Sequence, residues 1–368
     1  MSTALFNGQR FQALREFEGL TQAALARILG TSQPVISQIE KAERPLNERL
    51  MTQARAEFGL PESFFTVQPS YMDLGFPTFR KSSGAKVADE RRIVRQYREA
   101  ARVFEAASRG SGYHEVRLPP DIEGLGPEEA AVRLRQLAGL SEDGPITNMT
   151  RFLERFGFGV VTHLDFHGGV EAPKHSGISI PVRGSSRPLI ALASVMPGAV
   201  MRFTLAHEMA HHIWDASAPQ TWTSSRAPQE LRAHSFAGAL LLPASVIESR
   251  VTESLNLDAY LRIKADYGVS VGAVIMRAQR LERISPERAR SLQIQLSGPP
   301  CTGSPGAAEP CRAPRCRPSS TTRWTSMSSS RRTTPKGATS TIWVKRRRTR
   351  HSRRRCLTTA GETWTSSR

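Results

Sequence analysis

The stretch FTLAHEMAHHIW, residues 203–214, sets His207 and His211 four residues apart. On a helix, side chains at that spacing share a face, so both imidazoles can address a single ion. Between them, Glu208 stands where a carboxylate can take a proton from water activated by a metal. Phe203, Leu205, Met209, Ala210 and Ile213 surround the three with apolar side chains, as a buried catalytic helix requires. The same two-histidine pattern also arises by chance on ordinary helices, so the reading depends on a third ligand. A histidine six residues past His211 could close the set, but Ser217 occupies that place.

Glu230, in QELRAHSFAGALLLP, is the better third ligand. Ala233, Phe236, Ala237 and Leu240 make the apolar stripe of its helix, and the carboxylate could reach the ion from beside the first helix. The result is a His/His/Glu site with a fourth position open to water, the pattern of a catalytic zinc. His234, one turn beyond Glu230, is a rival ligand or a hydrogen-bonding partner of the ligands. His212 reads as a polar neighbour. His163, His167 and His175 precede the site in strands or loops, where contact with substrate is the most that can be read for them.

A second constellation lies near the N-terminus in LTQAALARILGTSQPVISQIEKAERP. Gln22 starts a helix, Ala26 is small where two helices cross, and Gly30 permits a left-handed turn. Ile36 and Ile39 face back into a core from a second helix that Thr31 or Ser32 can cap. Gln33, Pro34, Ser37 and Gln38 are left on its exposed face, where short amides and hydroxyls suit base edges in the major groove. Lys41, Arg44 and the Gln22 side chain are placed to meet phosphates. Over about residues 5–65 this resembles the XRE, lambda-repressor-like helix-turn-helix family, which implies binding to double-stranded DNA. The rival reading is a small helical bundle for protein docking. The region is not strongly basic, so affinity would draw on a homodimer.

The elements that must carry these groups follow from pattern and composition. Short amphipathic helices fill residues 1–66, and Pro69, Gly75 and Pro77 mark a linker over 67–84. Helices are predicted near Ala85–Ser108, Glu128–Leu140 and Asn148–Phe156, then strands at Gly159–Leu164, Gly177–Val182 and Leu189–Ala193. The motif helix runs from Gly198 through Trp214, and further helices reach Leu296. The net charge of +18 is lopsided: from Gly298 onward sixteen Lys and Arg face two acids, Glu309 and Glu362, so the preceding body is near +4. Bulk charge therefore says little about the body, and DNA binding must rest on the motif. All four cysteines (Cys301, Cys311, Cys316 and Cys356) lie in the last segment, which excludes a thiolate metal site or disulfide framework in the body. No apolar run approaches the roughly 18 residues of a membrane span, and no signal-peptide pattern opens the chain, so a cytoplasmic protein without a membrane partner is expected.

Residues 297–368 are a low-complexity basic tail. Leu, Ile and Val number three from Gly298 onward, too few to offset the entropy of ordering. A disordered nucleic-acid-binding tail would use KRRRTR and SRRR. The abrupt change, with Trp, Cys and Arg scattered without period, favours translation in a shifted frame.

Residues 85–296 resemble the ImmA/IrrE family of metallopeptidases. The resemblance rests on RFTLAHEMAHHIW, on E-x-x-A-x-x-F-A from Glu230 to Ala237, on LLLP ending at Pro243, and on YGVSVGAVIMRAQRL. It implies an α+β zincin-like, gluzincin-type domain behind an all-α helix-turn-helix domain, and Zn2+ held by His207, His211 and Glu230. Glu208 would be the catalytic base of an endopeptidase acting on a repressor-type protein in transcriptional regulation. The strand near Leu189–Ala193 would offer an edge to which an extended substrate adds. Family members often continue differently past the last helices, which strengthens the shifted-frame reading of the tail. Two other classes compete: a non-proteolytic helix-turn-helix regulator with a zinc-containing sensor domain, and an antitoxin-like partner in a two-gene system. A sensory site needs no base, so Glu208 favours the enzyme.

Overall fold

The computed structural model describes residues 7–67, 77–81, 87–164, 175–182, 185–216 and 226–297. All of them fall in one compact unit, Met1–Thr302. The tail beyond Ser297, His167 and most of the expected linker lie outside the described residues.

Four helices come first: α1 (Gln9–Phe17), α2 (Gln22–Ile28), α3 (Gln33–Glu40) and α4 (Glu48–Phe58), followed by a 3-10 turn at Glu62–Thr66. Thr21 Oγ1 caps α2 by accepting from the Ala24 amide at 3.1 Å. Gly30 turns the chain with φ of 57°, a region where a Cβ is strained. Ser32 takes the N-cap position of α3, yet its side chain makes no capping bond there. Ala26, Ile36 and Ile39 pack with Phe11, Leu14, Leu25 and Phe65 in one apolar core.

The 25-residue helix α5 (Val87–Ser111) joins this bundle to the rest. From α1, Arg10 clasps Glu99 with both guanidinium nitrogens, at 2.7 and 3.0 Å, and Glu16 receives Arg95 at 2.9 Å. The other side of α5 buries Ile93, Tyr97 and Ala101 against a sheet. That sheet has strands β1 (Thr78–Lys81), β2 (Gly159–Val161), β3 (His175–Ser179) and β4 (Leu189–Leu192) in the order β1-β3-β4-β2. β1 and β4 are each antiparallel to β3, and β2 is parallel to β4. Two expectations change here. The stretch 67–84 contains β1, which a four-residue TFRK segment between Gly and Pro breakers did not announce. The strand near Leu189–Ala193 is no edge: β4 is paired on both sides, and its Leu-Ile-Ala-Leu run is buried on both faces, as a central strand demands.

Helices α6 (Pro127–Leu137) and α7 (Met149–Arg155) precede the sheet's second strand. After β4 come α8 (Gly198–Trp214), α9 (Pro228–Leu241), α10 (Ala244–Arg250), α11 (Leu257–Tyr267), α12 (Val271–Arg280) and α13 (Pro286–Ser297). α8 and α9 lie side by side in the largest apolar core, with Leu205, Met209 and Ile213 meeting Ala233, Phe236 and Leu240. None of the described helices is long and apolar enough to cross a membrane.

Tyr97 ties α5 to the sheet: its hydroxyl donates to the Leu189 carbonyl at 2.6 Å and accepts from the Ile180 amide at 3.2 Å. Removing that oxygen takes the partner from the buried Ile180 amide and one of two donors from the Leu189 carbonyl, which His212 also bonds. Tyr97→Phe should therefore lower stability by about 1–3 kcal/mol, seen as a lower denaturant midpoint at unchanged m-value.

Candidate metal centre and nucleic-acid interface

α8 carries His207, Glu208 and His211 into the core at 0–1% exposure, and Glu230 reaches the same point from the first turn of α9. His207 Nε2 lies 3.2 Å from His211 Nε2 and 3.3 Å from Glu230 Oε2, and His211 Nε2 lies 3.5 Å from Glu230 Oε1. Both imidazole nitrogens thus face the Glu230 carboxylate, one oxygen toward each. Bonds of about 2.0–2.1 Å at tetrahedral angles put neighbouring ligand atoms about 3.3–3.4 Å apart, close to these separations.

The ring of His211 is oriented through its other nitrogen: Nδ1 donates to Asp215 Oδ2 at 2.7 Å, which turns Nε2 toward the cluster. Asp215 is held in turn by Arg232 at 2.5 Å. A carboxylate behind a ligating histidine orients the ring and raises its basicity. Sequence reasoning missed Asp215, although it repeats the four-residue step from His211 on the same helix.

His234 stands beside the trio. Its Nδ1 bonds the Glu230 carbonyl at 2.6 Å, and its ring centroid is 4.6 Å from that of His207. His207, Glu230 and His234 also form a possible ligand group, with donor atoms within 4.8 Å of one another. His211 lies against the same carboxylate, its Nε2 3.2 Å from His207 Nε2 and 3.5 Å from Glu230 Oε1. His212 turns instead to the apolar side, its ring meeting Phe158 edge to face at 5.4 Å. His163 is exposed, in the chain leaving β2.

Glu208 points to the sheet. Ser179 Oγ, on β3, donates to Glu208 Oε2 at 2.7 Å. α8 can come this close because Gly177 has no side chain: a Cβ there would lie 2.4 Å from Thr204 Cγ2 and 2.9 Å from Glu208 Oε1. Ser179 and Gly177 are therefore functional neighbours that no motif pointed to.

The electrostatics mirror the geometry. Burial pushes His207 down to about 4 despite the Glu230 hydrogen bond. Burial also works against charge on His211, but the hydrogen bonds of Asp215 and Glu230 outweigh it and hold His211 up at about 9. Glu230 is opposed by burial too, and its bonds to the two histidines keep it well below the usual carboxylate range.

In the N-terminal region Gln33, Pro34, Gln38, Lys41 and Arg44 are exposed, and Ser37 is half-buried on the same helix. Gln22 is less available. Its amide donates to Glu40 Oε2 at 2.8 Å and its carbonyl accepts from Gln33 at 2.7 Å. Glu40 is clasped by Arg15 at 2.7 and 2.9 Å, so Arg15, Glu40, Gln22 and Gln33 form one polar network that fixes α3 against α1 and α2.

Residues 11–65 match the helix-turn-helix family model, and residues 159–279 match that of the IrrE N-terminal-like domain, a peptidase family designated M78. The chain joins an XRE-type helix-turn-helix domain to an IrrE-like domain. It is also 24% identical, over 310 residues, to a protein of Cereibacter sphaeroides described as a propionyl-CoA carboxylase regulator. That alignment covers 77% of this chain and 66% of the relative, so the chain spans just under two thirds of the relative's length. The IrrE-like domain is a mixed α/β structure with few strands, and its His/Glu cluster is a possible metal site.

A pH dependence follows for the metal-free protein. His207, depressed to about 4, binds fewer protons folded than unfolded, so its contribution to stability falls as pH drops from about 6.5 toward 4. His211, raised to about 9, contributes stability that is complete below about 6.5 and is lost as pH rises through 9. Imidazole NMR titration should find the two rings on opposite sides of the ordinary value, with Asp215→Asn bringing His211 down.

Proposed function

We propose that this protein is a DNA-binding zinc endopeptidase that regulates transcription by cleaving a repressor-type protein. The observation that carries the reading is that His207 Nε2 and His211 Nε2, 3.2 Å apart, each face an oxygen of the Glu230 carboxylate, Oε2 at 3.3 Å and Oε1 at 3.5 Å. A cysteine-free set of two imidazoles and one carboxylate fits zinc and leaves a fourth position for water or substrate. A zinc ion there would supply a Lewis acid for a peptide carbonyl and make water more acidic.

The chain's residues do the rest. Glu208 takes the proton from the attacking water and passes it to the leaving amine. Ser179 fixes the rotation of that carboxylate through its 2.7 Å bond, and burial keeps it out of bulk water. Asp215 holds the His211 ring in register and is itself anchored by Arg232. The zincin-like, gluzincin-type arrangement and the cytoplasmic setting belong to the same proposal. At the other end of the chain, Gln33, Pro34, Ser37 and Gln38 read base edges from α3, while Lys41 and Arg44 meet phosphates. Gln22 acts through Gln33, which it braces, as much as on the backbone itself. A homodimer would bring two such helices to one operator.

The relative's description as a regulator supports a second reading, in which the metal domain senses a signal without cleaving anything. One substitution separates the two. Glu208→Gln keeps size and hydrogen bonding but removes the base. Zinc content and DNA binding should survive, while cleavage of the repressor encoded beside this gene should fall by about 10²–10⁴. Wild-type induction by the variant in cells would hand the function to the sensor reading.

The DNA reading has its own test. Gln33→Ala with Ser37→Ala should abolish preference for the operator while leaving weak, salt-sensitive binding to any duplex. Operator preference that disappears on removing residues 298–368, with α3 intact, would contradict it.

A further inference from the structure

A cavity of about 280 Å³ opens beside His234. Val200 and Phe203 of α8, Gly238 of α9, and Ala273 and Met276 of α12 line it. Phe203 precedes His207 by one turn, and its ring lies 5.7 Å from that of His234, which in turn lies 4.6 Å from His207. His234 thus stands both at the cavity and beside His207.

The cavity's chemistry is selective. Its wall is mostly apolar, and Val200 and Met276, both partly exposed, stand at it. The two cations that border it are engaged: Arg277 bonds the Leu242 carbonyl at 3.1 Å and both carboxylate oxygens of Glu128, and Arg280 bonds Ser235 Oγ at 2.7 Å. Their charge repels a basic side chain. The volume falls just short of the roughly 300–1,000 Å³ typical of pockets for drug-sized ligands, which suits one amino-acid side chain.

We infer that this cavity is the specificity subsite of the metal centre: it accepts one apolar side chain, of leucine or methionine size, from the residue adjoining the scissile bond. The protein substrate is thus a polypeptide with an exposed aliphatic residue at the cut, and a basic residue there is rejected. The inference rests on the peptidase reading above.

The test uses amino-acid hydroxamates, whose head group chelates a metal and whose side chain then probes the cavity. Zinc-loaded full-length protein is titrated calorimetrically with glycine, leucine, lysine and glutamate hydroxamates. Leucine hydroxamate should bind at least about tenfold more tightly than the glycine compound, the lower bound for filling an apolar pocket, and lysine hydroxamate no better than glycine. Gly238→Leu fills the cavity from a position where an added Cβ meets nothing closer than Arg277 Cδ at 3.8 Å. It should erase the leucine preference while glycine hydroxamate affinity and zinc content stay unchanged. If Gly238→Leu loses zinc, Met276→Ala at an exposed position decides instead, and should cut the leucine preference severalfold. Equal binding of the glycine and leucine compounds, or tighter binding of the lysine or glutamate compound, overturns the subsite and leaves the metal centre standing. Failure of every hydroxamate to bind overturns the metal reading, and the subsite with it.

Discussion

Two imidazole nitrogens and a carboxylate, buried and facing one another, are the constraint around which the C-terminal half of this structure is organised. Desolvating such a group is expensive unless each member finds a counterpart. The protein meets that demand with neighbours: Asp215 behind His211, Arg232 behind Asp215, and the Glu230 carbonyl beneath His234. The apolar packing of α8 on α9 holds the two helices at the separation the trio requires. Leu205, Met209 and Ile213 on one side, with Ala233, Phe236 and Leu240 on the other, bury the area that offsets the polar centre. Small residues on α9, Ala233 and Ala237, let α8 come near enough for Glu230 to reach both histidines.

The sheet's role is narrower than its central place suggests. It supplies β3 as a wall against which Glu208 is set, and Gly177 is what makes the wall thin enough. Any side chain at that position would collide with Thr204 and the Glu208 carboxylate. Ser179, two residues on and therefore on the same face of the strand, then reaches the carboxylate. One glycine and one serine on a five-residue strand thus determine where the Glu208 carboxylate sits.

Local pattern made much of this legible. The four-residue spacing of His207 and His211 and the apolar stripe of α9 lie within single helices, and α8 falls at Gly198–Trp214 as its pattern predicts. The turn at Gly30 is equally local, since only its left-handed φ is needed. What was hidden depends on partners distant in sequence. β1 exists because Thr78 and Phe79 pair with Ser179 and Ile178, about a hundred residues on, and nothing in TFRK announces that. The position of β4 inside the sheet follows from pairing with both β2 and β3, although its unbroken apolar run was a signal for a central strand that went unread. Asp215 and Ser179 became visible only once the His211 and Glu208 side chains had directions.

α5 connects the two functional halves. Toward the N-terminal helices it presents Arg95 and Glu99, ion-paired to Glu16 and Arg10, and Arg10 also lies over the Phe64 ring at 4.0 Å. Toward the sheet it presents Tyr97, whose hydroxyl bridges the backbone at Leu189 on β4 and at Ile180 just past β3. β3 in turn carries Ser179, the partner of Glu208. A contiguous set of bonded groups therefore runs from α1 to Glu208, beside the His/Glu cluster. The links differ in kind. The Arg10–Glu99 and Arg95–Glu16 pairs are partly buried, so separating α1 from α5 exposes four charges to water, which hydrates them and lowers the penalty of parting. The Tyr97 bonds are fully buried, and breaking them strands the Ile180 amide in an apolar core. If the assembly yields anywhere, it yields first between α1 and α5, with the sheet and the metal centre moving together on the far side.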